Sequence, residues 1–264
     1  MVERANKKDF SQLKQMWKTV FCDTDLYIDL FFSELARPEN TYVFREKGEI
    51  CAMAYALPAP LIFSDGTEIK ARYICGIATK TECRNKGMAS TLLRKILGDA
   101  KAAGVDVCYL IPAEKSLFSY YERFGFTEKT FMCIRTLLPA AGAFKESEKP
   151  DISRLTAAYN ALNYPFKPKR TKEDFERILK VYEVYCKGKD YAVFEQREDK
   201  LYVLEQTADF SAEMQNIARL RHLSAVFLLS YAAEEDGNEP FASLCRLNPN
   251  VKIPQNGYIQ LMLN

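Results

Sequence analysis

Apolar residues recur along this chain with two different periods, and the changes of period mark out its elements. Phe10, Leu13, Trp17 and Phe21 fall near helical spacing and predict an amphipathic helix over 8–21. Leu26, Leu30, Phe31, Phe32 and Leu35 predict a second, very apolar helix over 25–35. Strands follow at 41–45 and 49–56, parted by Lys47-Gly48, with Pro58 and Pro60 bending the second or placing it on an edge. Apolar runs at 61–63 and 68–78 flank Ser64-Asp65-Gly66-Thr67, and Asp-Gly between such runs is a strong hairpin signal. A helical run from Met88 to Leu97 leads through Gly104 to the continuous apolar run Val105 to Ile111, the signature of a strand buried on both faces. A helix over 116–124 and a strand over 131–138 are expected to complete this sheet.

Pro139, the small residues Ala140 to Ala143 and the charged stretch Lys145 to Pro150 read as a boundary. Beyond it come helices at 152–162 and 172–185, a hairpin at 191–195 and 201–206 turning on Arg197 to Lys200, and a helix over 211–222 with Ser211 as its cap. Strands at 225–231 and 257–263 follow. The second half loosely repeats the order of the first. The predicted organisation is therefore a domain over 1–140, a linker over 141–150 and a second domain over 151–264, in the α+β class with a mixed sheet.

Composition narrows the function. The 264 residues are 48% hydrophobic and 27% charged, enough for a sizeable core and more than one domain usually needs. A net charge of +2 with no long basic stripe argues against nucleic acid or membrane as the main partner. None of the eight cysteines forms a Cys-x-x-Cys pair, and Cys51, Cys75 and Cys108 sit inside apolar runs as small buried hydrophobes suited to a reducing compartment. Met1 leads straight into charged residues and no apolar run has spanning length, so a cytoplasmic location is expected. His222, the single histidine, reads as the polar end of a helix, and no metal site is expected. Glu234-Glu235-Asp236 reads as a solvated loop, with attraction of a cationic amine as the lesser reading.

The segment that carries chemistry is Arg84-Asn85-Lys86-Gly87-Met88-Ala89, between the strand ending Tyr73-Ile74-Cys75-Gly76-Ile77-Ala78 and the helix that starts at Met88. A helix's first turn has unpaired N–H groups and a positive dipole end, so it holds anions. Gly87 admits a ligand close to the backbone, Ala89 seats the helix near the sheet, and Arg84 and Lys86 add positive charge. Neither Gly-x-Gly-x-x-Gly nor Gly-Lys-Ser/Thr is present. The pattern resembles the pyrophosphate loop of the GNAT superfamily of acyl-CoA-dependent N-acetyltransferases. Tyr121-Glu122-Arg123-Phe124-Gly125-Phe126 resembles that superfamily's second signature, and the order and spacing agree over 40–137. The tandem arrangement resembles the branch related to the enhanced-intracellular-survival acetyltransferases, in which an active first domain precedes a degenerate second. No Arg-x-x-Gly-x-Ala occurs between Thr207 and Leu220, so a second domain of this fold would have lost its CoA site.

The resemblance implies acetyl transfer from acetyl-CoA, as co-substrate, to the primary amine of a small molecule or peptide in a ternary complex. The N–H groups of Arg84, Asn85, Lys86, Gly87, Met88 and Ala89 would bind the pyrophosphate. The edge Cys75, Gly76, Ile77, Ala78 would pair with the pantetheine amides, with the thioester carbonyl against an N–H near Ile77. One donor aimed at developing charge supplies roughly 3 kcal/mol. Tyr121 is implied as general acid, since a phenol with a reference pKa of about 10 is still protonated at neutral pH and can stabilise a departing thiolate of about 8.5 or give it a proton. Its neighbour Tyr120 competes for that assignment. No general base stands out. Ala71, Arg72 and Tyr73 occupy the approach where some relatives carry a glutamate. Glu114, the Asn264 carboxylate, a water relay and, more weakly, Glu82 and Asp65 remain open. A module that binds acyl-CoA without turnover is the competing function. The sequence carries no signal for oligomeric state.

Overall fold

The structure is a computed structural model, and it describes residues 1–21, 23–142, 145–234 and 238–259. Its first elements are β1 (Val2–Arg4), α1 (Phe10–Phe21), α2 (Asp25–Leu30, continued by a π turn over Phe31–Leu35), β2 (Thr41–Glu46), β3 (Glu49–Pro58), β4 (Leu61–Phe63), β5 (Glu68–Ile69) and β6 (Ala71–Thr79). Next come α3 (Met88–Ala102), β7 (Val107–Leu110), α4 (Ser116–Glu122), β8 (Phe126–Leu137), α5 (Ile152–Ala161), β9 (Phe166–Pro168) and α6 (Lys172–Val181). The last are β10 (Glu183–Lys187), β11 (Asp190–Arg197), β12 (Lys200–Gln206), α7 (Ser211–Leu220), β13 (Ala225–Ala232) and β14 (Glu239–Arg246).

The chain folds into two compact units. One comprises residues 1–129 and 242–254; the other comprises 130–241 and the described residues from 255. In the first unit β1, β2, β3 and β6 pair antiparallel in sequence, β7 joins β6 in parallel, and β14 runs antiparallel to β7. Helix α3 lays Leu92, Leu93, Ile96 and Ala100 on the sheet, and α4 adds Tyr121 to the same cluster. Trp17 of α1 and Phe31 of the π turn pack against Tyr55 of β3, tilted and edge-on, with ring centroids 5.5 and 4.9 Å away.

The second unit repeats this plan. β10, β11 and β12 form an antiparallel meander, β13 joins β12 in parallel, and β8 runs antiparallel to β13. Helix α7 packs Met214, Ile217 and Ala218 into the core under β11 and β12. A buried polar cluster lies under the other face. Glu205 accepts from Arg170 at 2.5 Å, from the Tyr191 hydroxyl at 2.6 Å and from the Tyr258 hydroxyl. Lys167 closes the end of α5, donating to the carbonyls of Tyr159, Asn160 and Leu162.

Most of the expected elements form within a few residues of their predicted bounds, and four details differ. The neighbour of β7 is β14, a segment for which the sequence reading offered no element, whereas the run expected to complete the first sheet pairs with β13 from Phe131 to Leu137. Either alternation suits either partner, and pairing at such sequence distance has no local signal. The helix expected over 172–185 ends at Val181, and β10 begins at Glu183, because Tyr185 and Cys186 bury by pairing with β11. Ser211 is the first residue of α7, and the carboxylate of Asp209 accepts from its N–H at 2.9 Å. The expected strand at 257–263 is not one over Gly257 to Ile259, and its remainder lies outside the described residues. Near the proposed boundary, Lys145–Glu148 hydrogen-bonds along β10, through the Lys145 carbonyl to Tyr185, Ser147 to Cys186 and Glu148 to Cys186.

Two stability predictions follow from these packings. Gly76 lies at φ +56°, and a Cβ there would come within 2.5 Å of the Trp17 ring and 2.7 Å of the Tyr55 ring. Gly76→Ala should cost about 2–4 kcal/mol, backbone strain plus overpacking, read by urea denaturation. Glu205→Gln removes the buried negative charge beside Arg170, so a loss of about 3–5 kcal/mol is expected in the same assay, and an unchanged midpoint would contradict it.

Candidate active site

Strands β6 and β7 pair only where Ala71, Arg72 and Tyr73 lie beside Val107, Cys108 and Tyr109. Past Tyr73 the two strands part, while β6 stays held to β3 up to Thr79. Among the described residues, the stretch Ile74 to Thr79 therefore has one edge with no strand against it, and it contains the predicted residues Cys75, Gly76, Ile77 and Ala78. Met53 pairs with Ala78 and Tyr55 with Cys75, so Gly76 and Ile77 together oppose Ala54 in a β-bulge. The sequence reading placed a glycine here without foreseeing the bulge. Trp17 and Tyr55 fill the space a side chain would take, and that close approach selects glycine.

Beyond β6 the chain makes a tight turn at Thr81–Cys83 and passes through Arg84 and Asn85 into Gly87. Asn85 and Gly87 both adopt left-handed backbone, at φ +61° and +72°. This path turns successive N–H groups outward. Among the described residues, no backbone carbonyl accepts from the N–H groups of Asn85 through Ser90. The first bond of α3 is Thr91 N–H to the Gly87 carbonyl, at 3.0 Å. The Arg84 amide is engaged with the Thr81 carbonyl at 3.3 Å, so the open run starts one residue later than the motif suggests. Asn85, Lys86 and Gly87 are exposed, and a Cβ on Gly87 would meet no protein atom within 4 Å. Met88 is buried and anchors the helix start, and Ala89 is half-buried. Charge gathers here: Arg84 reaches the Thr79 carbonyl through Nε, and Lys86 lies 3.9 Å from Glu46.

A cavity of about 340 Å³ adjoins this loop, between α1 (Gln12, Gln15, Met16, Thr19, Val20) and Lys80, Thr81, Glu82 and Arg84. Tyr121 is not among its lining residues. It lies in the core cluster under α3 and α4, 8% exposed, with Met88 in the same cluster and Ile77 packed against it. The structure thus brings Ile77, Met88 and Tyr121 around one apolar cluster while leaving the open amides on the surface. Burial, helped by the neighbouring Tyr120, pushes the Tyr121 phenol up to about 12. Tyr120 meets Tyr121 edge-to-face with centroids 5.1 Å apart, and its hydroxyl lies 3.0 Å from Ser90 Oγ. Ser90 escaped the sequence reading. Its only signal was a hydroxyl directly after the Arg-x-x-Gly-x-Ala motif, in the helix's first turn. The bond ties α4 to the first turn of α3. Burial also raises the Cys75 thiol well above its ordinary range, so this cysteine serves through its backbone.

The candidate bases fare unevenly. Glu114 is exposed and accepts from Ser116 Oγ at 2.5 Å. Asp65 accepts from the Thr67 N–H at 2.8 Å, a turn bond that also lowers its pKa. Glu82 lines the cavity beside Arg84. Asn264, with its carboxylate, and Glu235 and Asp236 of the acidic run lie outside the described residues. His222 ends α7 in left-handed backbone at φ +56°, its N–H bonded to the Arg219 carbonyl. β14 adds a group that sequence reasoning did not consider: Ser243, opposite Leu110, has a buried Oγ with no partner among the described residues.

Residues 1–128 match the family model described as an acetyltransferase (GNAT) domain. The whole chain has the fold of larger proteins. A protein of Enterococcus faecalis described as a probable N-acyltransferase superposes with a TM-score of 0.70 at 14% identity, over 94% of this chain and 72% of its own. A GCN5-related N-acetyltransferase of Anabaena variabilis gives 0.68 at 16%, over 94% and 73%. Eis1 of Mycobacterium abscessus gives 0.64 at 12%, over 94% and 74%. At these identities the likeness is one of fold. No curated protein matches the chain in sequence. Among the described residues no helix is long and apolar enough to cross a membrane.

The free space over Gly87 makes it a clean probe of the loop. Gly87→Ala should cost about 1–2 kcal/mol of stability for the left-handed backbone. If a diphosphate closes on this loop, the same change should also weaken coenzyme A binding about tenfold or more, measured by calorimetry. Unchanged affinity would remove Gly87 from the contact.

Proposed function

Because this chain carries a GNAT acetyltransferase domain in residues 1–128, we propose that it transfers an acetyl group from acetyl-CoA to the primary amine of a small-molecule or peptide acceptor. One observation carries the reading: among the described residues, the N–H groups from Asn85 to Ser90 have no backbone partner at the head of α3, directly after a strand edge that no strand pairs. An anion with several oxygens answers the first feature, and an extended chain of amides answers the second. Coenzyme A has both, and its thioester supplies the activated acyl group.

The residues divide the work. The amides of Asn85 to Ala89, with Arg84 and Lys86, hold the diphosphate. The edge from Cys75 to Ala78 aligns the pantetheine arm, and the bulge at Gly76 and Ile77 turns a backbone donor toward the acyl oxygen as charge develops there. Tyr121 gives its proton to the departing sulfur. Its raised pKa keeps the phenol protonated across the physiological range, so the acid is always loaded. The amine must be neutral to attack, and an alkylamine has a pKa of about 10.4. A water relay removes its proton in this scheme, since Glu114 and Asp65 are held in local turns. That same lack of a committed base favours the second reading, a module that binds acyl-CoA without turnover.

Turnover decides between the two. With an amine panel and thiol detection, Tyr121→Phe should lower kcat by about 100-fold or more with coenzyme A affinity kept. The wild-type rate should rise with pH as the amine deprotonates. No falling limb from Tyr121 should appear below about pH 11, because its pKa is raised rather than lowered. Full activity of the phenylalanine variant would take Tyr121 out of the mechanism. Coenzyme A binding without any acceptor turned over would favour the second reading.

A further inference from the structure

The second unit keeps the architecture of a splayed site and reverses its chemistry. β12 and β13 pair in parallel only from Lys200 beside Ala225 to Val203 beside Leu228, then part. Opposite the split, β12 carries an extra residue, Leu204, because Val193 pairs with Glu205 and Phe194 with Val203. The same two devices, a short parallel pairing and a bulge next to it, shape the site of the first unit. A cavity of about 230 Å³ occupies the split, lined on one side by Gln206 to Asp209 and on the other by Leu229 to Tyr231, with Tyr164 and Tyr258 closing it.

What differs is the head of the following helix. The N–H of Thr207 is taken by the Tyr191 carbonyl, that of Phe210 by the Gln206 side chain and that of Ser211 by Asp209. A carboxylate stands where the first unit has Arg84 and Lys86. This cleft offers a phosphate little to bind. It offers a cation aromatic rings: Tyr164 stacks on Tyr258 with centroids 4.5 Å apart, and Tyr231 leans against Tyr164 at 4.9 Å with its plane tilted 56°. The Tyr258 hydroxyl donates to the buried carboxylate of Glu205, which enriches that ring's electrons. Asp209 lines the mouth, its charge shared with Arg135 3.7 Å away.

We propose that the cleft between β12 and β13 is a second binding site, one that takes a small organic ammonium ion against the rings of Tyr164 and Tyr231, with Tyr258 backing Tyr164. Aromatic faces favour such a cation over a neutral molecule of the same shape. The proposal stands apart from coenzyme A binding and from turnover. It is tested on the full chain by calorimetric titration with choline and, separately, with its neutral isostere 3,3-dimethylbutan-1-ol. Choline should bind saturably and about tenfold or more tighter than the alcohol. Tyr231→Phe should keep that preference, and Tyr231→Leu should lose it. Saturating coenzyme A should leave the choline titration unchanged. Equal affinity for the two probes, no saturable binding of choline up to about 10 mM, or displacement of choline by coenzyme A would each overturn it.

Discussion

Two parallel strands that pair for a few residues and then part are the constraint on which the rest of the first unit depends. A parallel pair that ran on would satisfy its own backbone and leave nothing to offer. Here β6 and β7 separate after Tyr73 and Tyr109, and the exposed edge survives because β6 is held from its other side by β3 along its length. The bulge at Gly76 adds local twist where the strands part. It is maintained by packing, since Trp17 and Tyr55 fill the space beside the glycine. Helix α1, which supplies Trp17, is thus part of the site's support even though the motif lies elsewhere.

The loop that follows solves a second problem with the same economy. Left-handed backbone at Asn85 and Gly87 ends the strand and begins the helix without burying the first-turn amides. Met88 anchors the helix below while the donors face outward. The Ser90–Tyr120 bond then fixes α4 to the head of α3, and α4 carries Tyr121. The open amides and Tyr121 are therefore held by one connected piece of structure, although Tyr121 itself lies in the core rather than on the wall of the neighbouring cavity.

The second unit shows how far the same frame can be taken from that chemistry. It repeats the meander, the parallel crossover and the bulge, yet Asp209, Gln206 and the Tyr191 carbonyl occupy donors that the first unit leaves open. The fold is kept here while the donors at the helix head are filled by hydrogen bonds within the unit. In each unit the last antiparallel strand is distant in sequence from the strand it pairs with, β14 from β7 in the first and β8 from β13 in the second. Neither unit can complete its sheet until nearly the whole chain has been made.

The sequence by itself determined the local pieces. Periodicity placed α1, α3 and the strands around Asp65-Gly66, and the turn into a helix with open first-turn amides was legible in Arg84 to Ala89 because it is a property of a few contiguous residues. Tyr121 was legible through its spacing to Gly125-Phe126. Tertiary structure alone decided which strand lies beside β7, that Gly76 forms a bulge against Trp17, that Ser90 meets Tyr120, and that Glu205 is buried with Arg170, Tyr191 and Tyr258. The reason is the same in each case. These features are contacts between residues far apart in the chain, and an alternating strand or a lone hydroxyl looks alike whichever partner it will find.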